Sequence, residues 1–133
     1  MTYQELVTTD DLAVSVPTKL NENARMERFQ NVAAKSATFT AWDDDTTGSP
    51  RDIYLVTTAA ATIVANLPTA LSGDASLGRI ITVMKADAGA GSVTLDPNAS
   101  ETINGAATVS LASQYHYRTL VSNGTEWFVL SSS

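Results

Sequence analysis

Residues 80–130 read IITVMKADAGAGSVTLDPNASETINGAATVSLASQYHYRTLVSNGTEWFVL. Short β-branched and aromatic runs alternate with Gly, Asn, Asp and Pro, and no apolar repeat of helical spacing lies between them. The run Arg79–Lys85 is the most apolar, which predicts a strand at the centre of a sheet. Asp87–Ser92 holds two glycines and predicts a flexible connection. Val93-Thr94-Leu95 follows and stops at the turn Asp96-Pro97-Asn98. Thr102–Gly105 enters an Asn-Gly turn that Thr108–Leu111 leaves. Tyr115–Ser122 and Glu126–Leu130 flank Asn123 and Gly124, the strongest hairpin signal in the chain. A type I′ turn there needs positive φ at both central residues.

The same grammar extends upstream. Ile53–Thr57 is β-branched and aromatic. Ala61–Leu67 places Ile63, Ala65 and Leu67 on one face and stops at Pro68. Ser36–Trp42 alternates Phe39 and Ala41 against Thr38, Thr40 and Trp42. Turn signals recurring every 8–12 residues or so predict an all-β fold, an antiparallel β-sandwich or barrel-like domain.

Residues 1–35 read differently. Met26, Phe29, Val32 and Ala33 recur at three-to-four spacing, one apolar stripe of a short helix. The other apolar positions are too sparse for a core of their own. The expected organisation is an N-terminal segment over 1–35, either a short helix or an extended arm that orders on a partner, and a β domain over 36–133. Segments of this kind become ordered by lying on another surface, and Met26, Phe29 and Val32 are the candidate contact residues.

Composition narrows the chemistry. The chain has 133 residues, suiting one domain, and a net charge of -6 that repels phosphate. Nucleic acid and anionic membrane are therefore poor partners. The opening stretch lacks the basic start and apolar run of a signal peptide. Absence of cysteine excludes disulfides, thiolate metal sites and thiol catalysis. The single histidine, His116, stands between two tyrosines with no second histidine to share a site. Asp43, Asp44 and Asp45 are consecutive, so in an extended segment they point to alternate faces, and an exposed acidic loop is expected rather than a calcium site. Glu101 and Glu126 each sit beside a turn and do not suggest a carboxylate pair for glycoside hydrolysis. The residues predict no enzyme, no cofactor, no metal and no small-molecule substrate. Trp127, Phe128, Tyr115 and Tyr117 could form a sugar-stacking platform, or be core and cross-strand contacts.

Four segments carry a resemblance: Lys85–Gly91 (KADAGAG), Val93–Pro97 (VTLDP), Glu101–Ala107 (ETINGAA) and Thr119–Trp127 (TLVSNGTEW). Together with Ile53–Leu67, they make residues 51–130 similar to a small β domain of tailed-bacteriophage virion proteins. The resemblance implies a structural role in the particle, usually as a homotrimer. A short arm plus one domain suits a capsid decoration (cement) protein, which binds the outer shell of the major capsid protein and adds buried area against internal pressure. The location implied is then the virion surface. The alternative is a receptor- or glycan-binding domain of a tail fibre or baseplate. The edges support self-association independently: β-region cations are limited to Lys85, Arg51, Arg79 and Arg118, so the strands lack the usual charged edge defences.

Overall fold

The computed structural model describes residues 32–42, 52–70 and 80–133. The chain divides into Met1–Gln30 and Asn31–Ser133, and every described residue belongs to the second unit. Its strands are β1 (Val32–Lys35), β2 (Phe39–Thr40), β3 (Ile53–Val56), β4 (Ile63–Asn66), β5 (Ile80–Lys85), β6 (Val93–Asp96), β7 (Val109–Leu111), β8 (Tyr117–Ser122) and β9 (Trp127–Ser132). The described residues contain no helix.

The all-β class is as expected, but the antiparallel order is not. One sheet runs β1-β3-β5-β8-β9 and the other β2-β4-β6-β7. The pairs β1–β3, β3–β5, β2–β4 and β4–β6 are parallel, whereas β5–β8, β8–β9 and β6–β7 are antiparallel. From β1 to β6 the chain visits the two sheets in turn. These strands are three rungs of a two-sheet coil, each stacked in parallel on the one before. The last three strands join by antiparallel pairing and finish both sheets. The barrel expectation is also corrected, because the sheets remain two open, mixed layers. Side-chain alternation has a period of two whichever way the neighbouring strand runs, so it reports the buried face and not the pairing direction.

The corners continue the ladders. Thr57 N–H donates to Lys35 O, and Ala86 N–H to Val56 O, on one side of the coil. Ala41 N–H donates to Asn66 O, and Leu67 N–H to Asp96 O, on the other. The inward positions stand in columns: Ala33, Tyr54 and Val83 in one sheet, Phe39, Ala65 and Leu95 in the other. These two columns meet in one core, where Phe39 stacks on Tyr54 at 4.8 Å across the layers. Trp42 meets Trp127 edge-on at 6.2 Å. Tyr54 and Trp127 are fully buried, and each removes roughly 150–250 Å² from water.

Strand β5 is central to its sheet, as its apolar sequence predicts. Val32 and Ala33, the end of the predicted helical stripe, are instead strand, paired with Ile53 and Tyr54. Met26 and Phe29, like the rest of the expected arm and helix before residue 32, lie outside the described residues.

The two Asn-Gly turns exchange roles. Asn104 and Gly105 have φ of 50° and 83°, and Ile103 and Ala106 exchange both backbone hydrogen bonds around them. That is the type I′ geometry. Strand β7 does not pair back onto this turn; it pairs with β6. Asn123 and Gly124 do join β8 to β9, but in a loop over residues 123–126 where Gly124 alone has positive φ, 92°. The side chain of Asn123 accounts for the difference: its Oδ1 accepts from the N–H groups of Thr125 and Glu126, both at 2.9 Å.

Candidate functional site

A buried lysine and the half-buried aspartate beside it join one rung to the next. Lys85 ends β5 on its inward side, in the column with Lys35 and Val56, and its side chain is wholly buried. Its ammonium donates to Asp87 O at 2.7 Å, to Asp87 Oδ1 at 3.0 Å and to Gly89 O at 2.8 Å. All three protons thus have acceptors within the corner 85–91. Asp87 turns toward the rung below. It accepts from the N–H of Thr58 at 3.0 Å, from the N–H of Ala59 at 2.8 Å and from the Thr58 hydroxyl at 3.1 Å. The Thr58 N–H above all, and then the Lys85 ammonium, hold the Asp87 carboxyl well below the usual carboxylate range, against opposing desolvation.

The same corner needs its glycines. A Cβ on Gly89 or Gly91 would overlap the carbonyl oxygen of Ala59 or Ala61 on the rung below. Gly91 N–H also donates to Ala59 O at 3.0 Å. The expected flexible hairpin connection is therefore a stacked corner, closely seated on residues 58–61. On the opposite side of the coil, buried Glu101 accepts from the Thr69 hydroxyl at 2.7 Å and the Ala70 N–H at 2.9 Å. Ser122 donates to Ala70 O at 3.2 Å. Both acidic groups are bound to backbone, which is a structural use.

The remaining candidates are dispersed. His116 is half-buried, and its backbone links Ser113 to Lys85. Glu126 lies at the β8–β9 loop beside Trp127, whose N–H donates to Thr102 O at 3.0 Å, while the Glu101 carboxylate is engaged by Thr69 and Ala70. Among the described residues no three His, Cys, Asp or Glu side chains could hold a metal ion together. Asp43, Asp44 and Asp45 lie outside the described residues. The sugar-platform alternative loses Trp127, which is fully buried and offers no face to a ligand. The Tyr117 hydroxyl lies 3.1 Å from that of Ser131.

The outer surfaces of the two sheets differ in kind. Outward positions of the four-stranded sheet are mostly polar: Thr40, Val64, Asn66, Thr94, Asp96 and Ser110. Outward positions of the five-stranded sheet form three rows. Ile80, Val121 and Phe128 make the first. Val32, Ile53, Thr82, Thr119 and Ser131 make the second. Ala34, Leu55, Met84 and Tyr117 make the third. Among the described residues no charged side chain interrupts them. Arg118 belongs to the inward row and caps Tyr117 O and Ser133 O from the sheet's end. Of the predicted contact residues only Val32 lies among the described ones, and it is exposed in the second row. Sequence reasoning foresaw sparse charge at the strand edges but not this face, which arises because parallel stacking aligns outward residues from distant segments.

No protein-family profile matches this sequence, and no curated protein is detectably similar to it.

Proposed function

We propose that the protein is a structural component of a tailed-bacteriophage particle, a homotrimeric decoration protein bound to the outer capsid shell. The observation that carries the reading is the uncharged apolar outer face of the five-stranded sheet. A face of this kind suits assembly, because an exposed contiguous apolar patch marks a contact surface. The interior agrees with it: Lys85 binds the backbone of its own corner, and Asp87 and Glu101 bind the backbone of a neighbouring rung, making a stiff body suited to bearing load. The resemblance of residues 51–130 to small virion β domains supplies the particle. In this reading the copies hold one another through the β domain, and Met26, Phe29 and Val32 form the contact stripe of the arm, against a neighbouring protomer or against the shell.

Labelling the protein in purified virions tests the reading. Label in many copies over the head is the expected result. Label confined to a few sites at the tail would replace it with the receptor- or glycan-binding alternative, and no label on particles would overturn both.

A further inference from the structure

We infer that the outer face of the five-stranded sheet, centred on Leu55, Thr82 and Thr119, is the surface through which copies of this chain meet. The inference rests on the assembly reading above and names its contact surface.

Three observations favour a second copy as the occupant. The first is charge. The chain carries a net charge of -6, so contact between copies is easiest where the surface carries no charge. The described residues of this face carry no charge to oppose a copy, and none to recruit a basic or acidic partner. The second is composition. At its centre Thr82 and Thr119 share a hydrogen bond of 3.0 Å and so leave little unsatisfied polarity to bury. Around them stand Val32, Leu55, Ile80 and Phe128, all exposed. An ordinary solvent face on this scaffold is the polar one of the other sheet, so exposure alone does not account for the apolar rows. The third is size. Five strands spaced ~4.8 Å apart and up to ~20 Å long give a face on the order of 500 Å². Three such faces turned toward a three-fold axis together bury on the order of 1,500 Å², above the ~1,000 Å² that a specific interface needs.

The test is the mass of the full chain in solution at micromolar concentration, by light scattering. The expected mass is a small multiple of 14.0 kDa for the wild type. Leu55→Arg places a charge in the third row and is expected to return the single-chain mass with an unchanged far-UV spectrum. Ser110→Arg, on the polar sheet, is expected to keep the wild-type mass. An assembled Leu55→Arg protein would overturn the assignment of this face while leaving self-assembly intact. A monomeric wild type would overturn the inference outright; labelling of virions then decides the particle reading separately. Should Leu55→Arg fail to fold, single cysteines replace it, since the chain has none of its own. Thr119→Cys is expected to cross-link between copies with a short bis-maleimide, and Ser110→Cys is not. Cross-linking at Ser110→Cys and none at Thr119→Cys would move the interface to the other sheet.

Discussion

Lys85 and Asp87 form an ion pair 3.0 Å long in which the lysine is wholly buried and the aspartate clamps the neighbouring rung. The lysine gathers its own corner by binding two carbonyls, and the aspartate ties that corner to Thr58 and Ala59. One pair thereby joins local loop closure to the stacking of β5–β6 on β3–β4.

Replacing Lys85 by Met should keep most of the volume but leave the carbonyls of Asp87 and Gly89 without their donor. A buried acceptor left unpaired costs about 1–3 kcal/mol. Urea unfolding should therefore show a loss of at least about 2 kcal/mol in Lys85→Met. A midpoint equal to that of the wild type would show that water reaches the site and replaces the ammonium.

Asp87 predicts an acid limb in stability. Its carboxyl is depressed in the folded state by the Thr58 N–H first and the Lys85 ammonium after it. A depressed carboxyl stabilises the fold at pH values above the unfolded value of 3.8, and this contribution is lost as pH falls below it toward the folded value. Stability should accordingly fall below about pH 4 in the wild type. Asp87→Asn should be less stable at neutral pH and show a flatter acid limb. Parallel acid limbs in the two proteins would count against the assignment.

The glycines separate two kinds of strain. Gly91→Ala should drive a methyl group into the Ala61 carbonyl and cost about 1–3 kcal/mol. Gly105→Ala meets open space, so its cost should be the positive φ alone, about 1–2 kcal/mol. Thermal melts of both should place Gly91→Ala no higher than Gly105→Ala, and the reverse order would mean that the stacked corner opens easily.

Gly124→Val should also lower the melting temperature, because a β-branched residue at φ 92° is strained. Asn123→Ala should destabilise the same loop by another route, since Oδ1 of Asn123 accepts the Thr125 and Glu126 N–H groups. An unchanged melting temperature in both variants would show that the loop does not hold β8 to β9.

Glu101→Ala should release the Thr69 hydroxyl and the Ala70 N–H together. Loss of a carboxylate bound to a buried N–H is expected to cost about 1–3 kcal/mol. Hydrogen exchange should report it at the Ala70 N–H, where protection should fall. Full protection of that N–H in the variant would mean that it has another acceptor.

The residues by themselves determined most of the strands and which of their faces is buried, though not β1, whose apolar spacing reads as helix, nor Thr102–Gly105, which makes only isolated bridges. Ile63, Ala65 and Leu67 point inward, β5 is central, and Phe39 and Ala41 are buried against exposed Thr38, all because β-branching and alternation act within a few residues. Turn chemistry was equally local, and both Asn-Gly pairs are turns. Direction of pairing was decided only by the tertiary structure. Ala33, Tyr54 and Val83 share a column although long stretches of chain separate them, and an alternating strand reads the same beside a parallel or an antiparallel neighbour. The roles of Lys85, Asp87, Gly89 and Gly91 followed from that stacking. KADAGAG reads as a flexible connection until Thr58, Ala59 and Ala61 from another rung present the N–H groups and carbonyls that each residue answers. The uncharged outer face has the same origin: Val32, Ile53, Thr82 and Thr119 become one row only when their strands lie side by side.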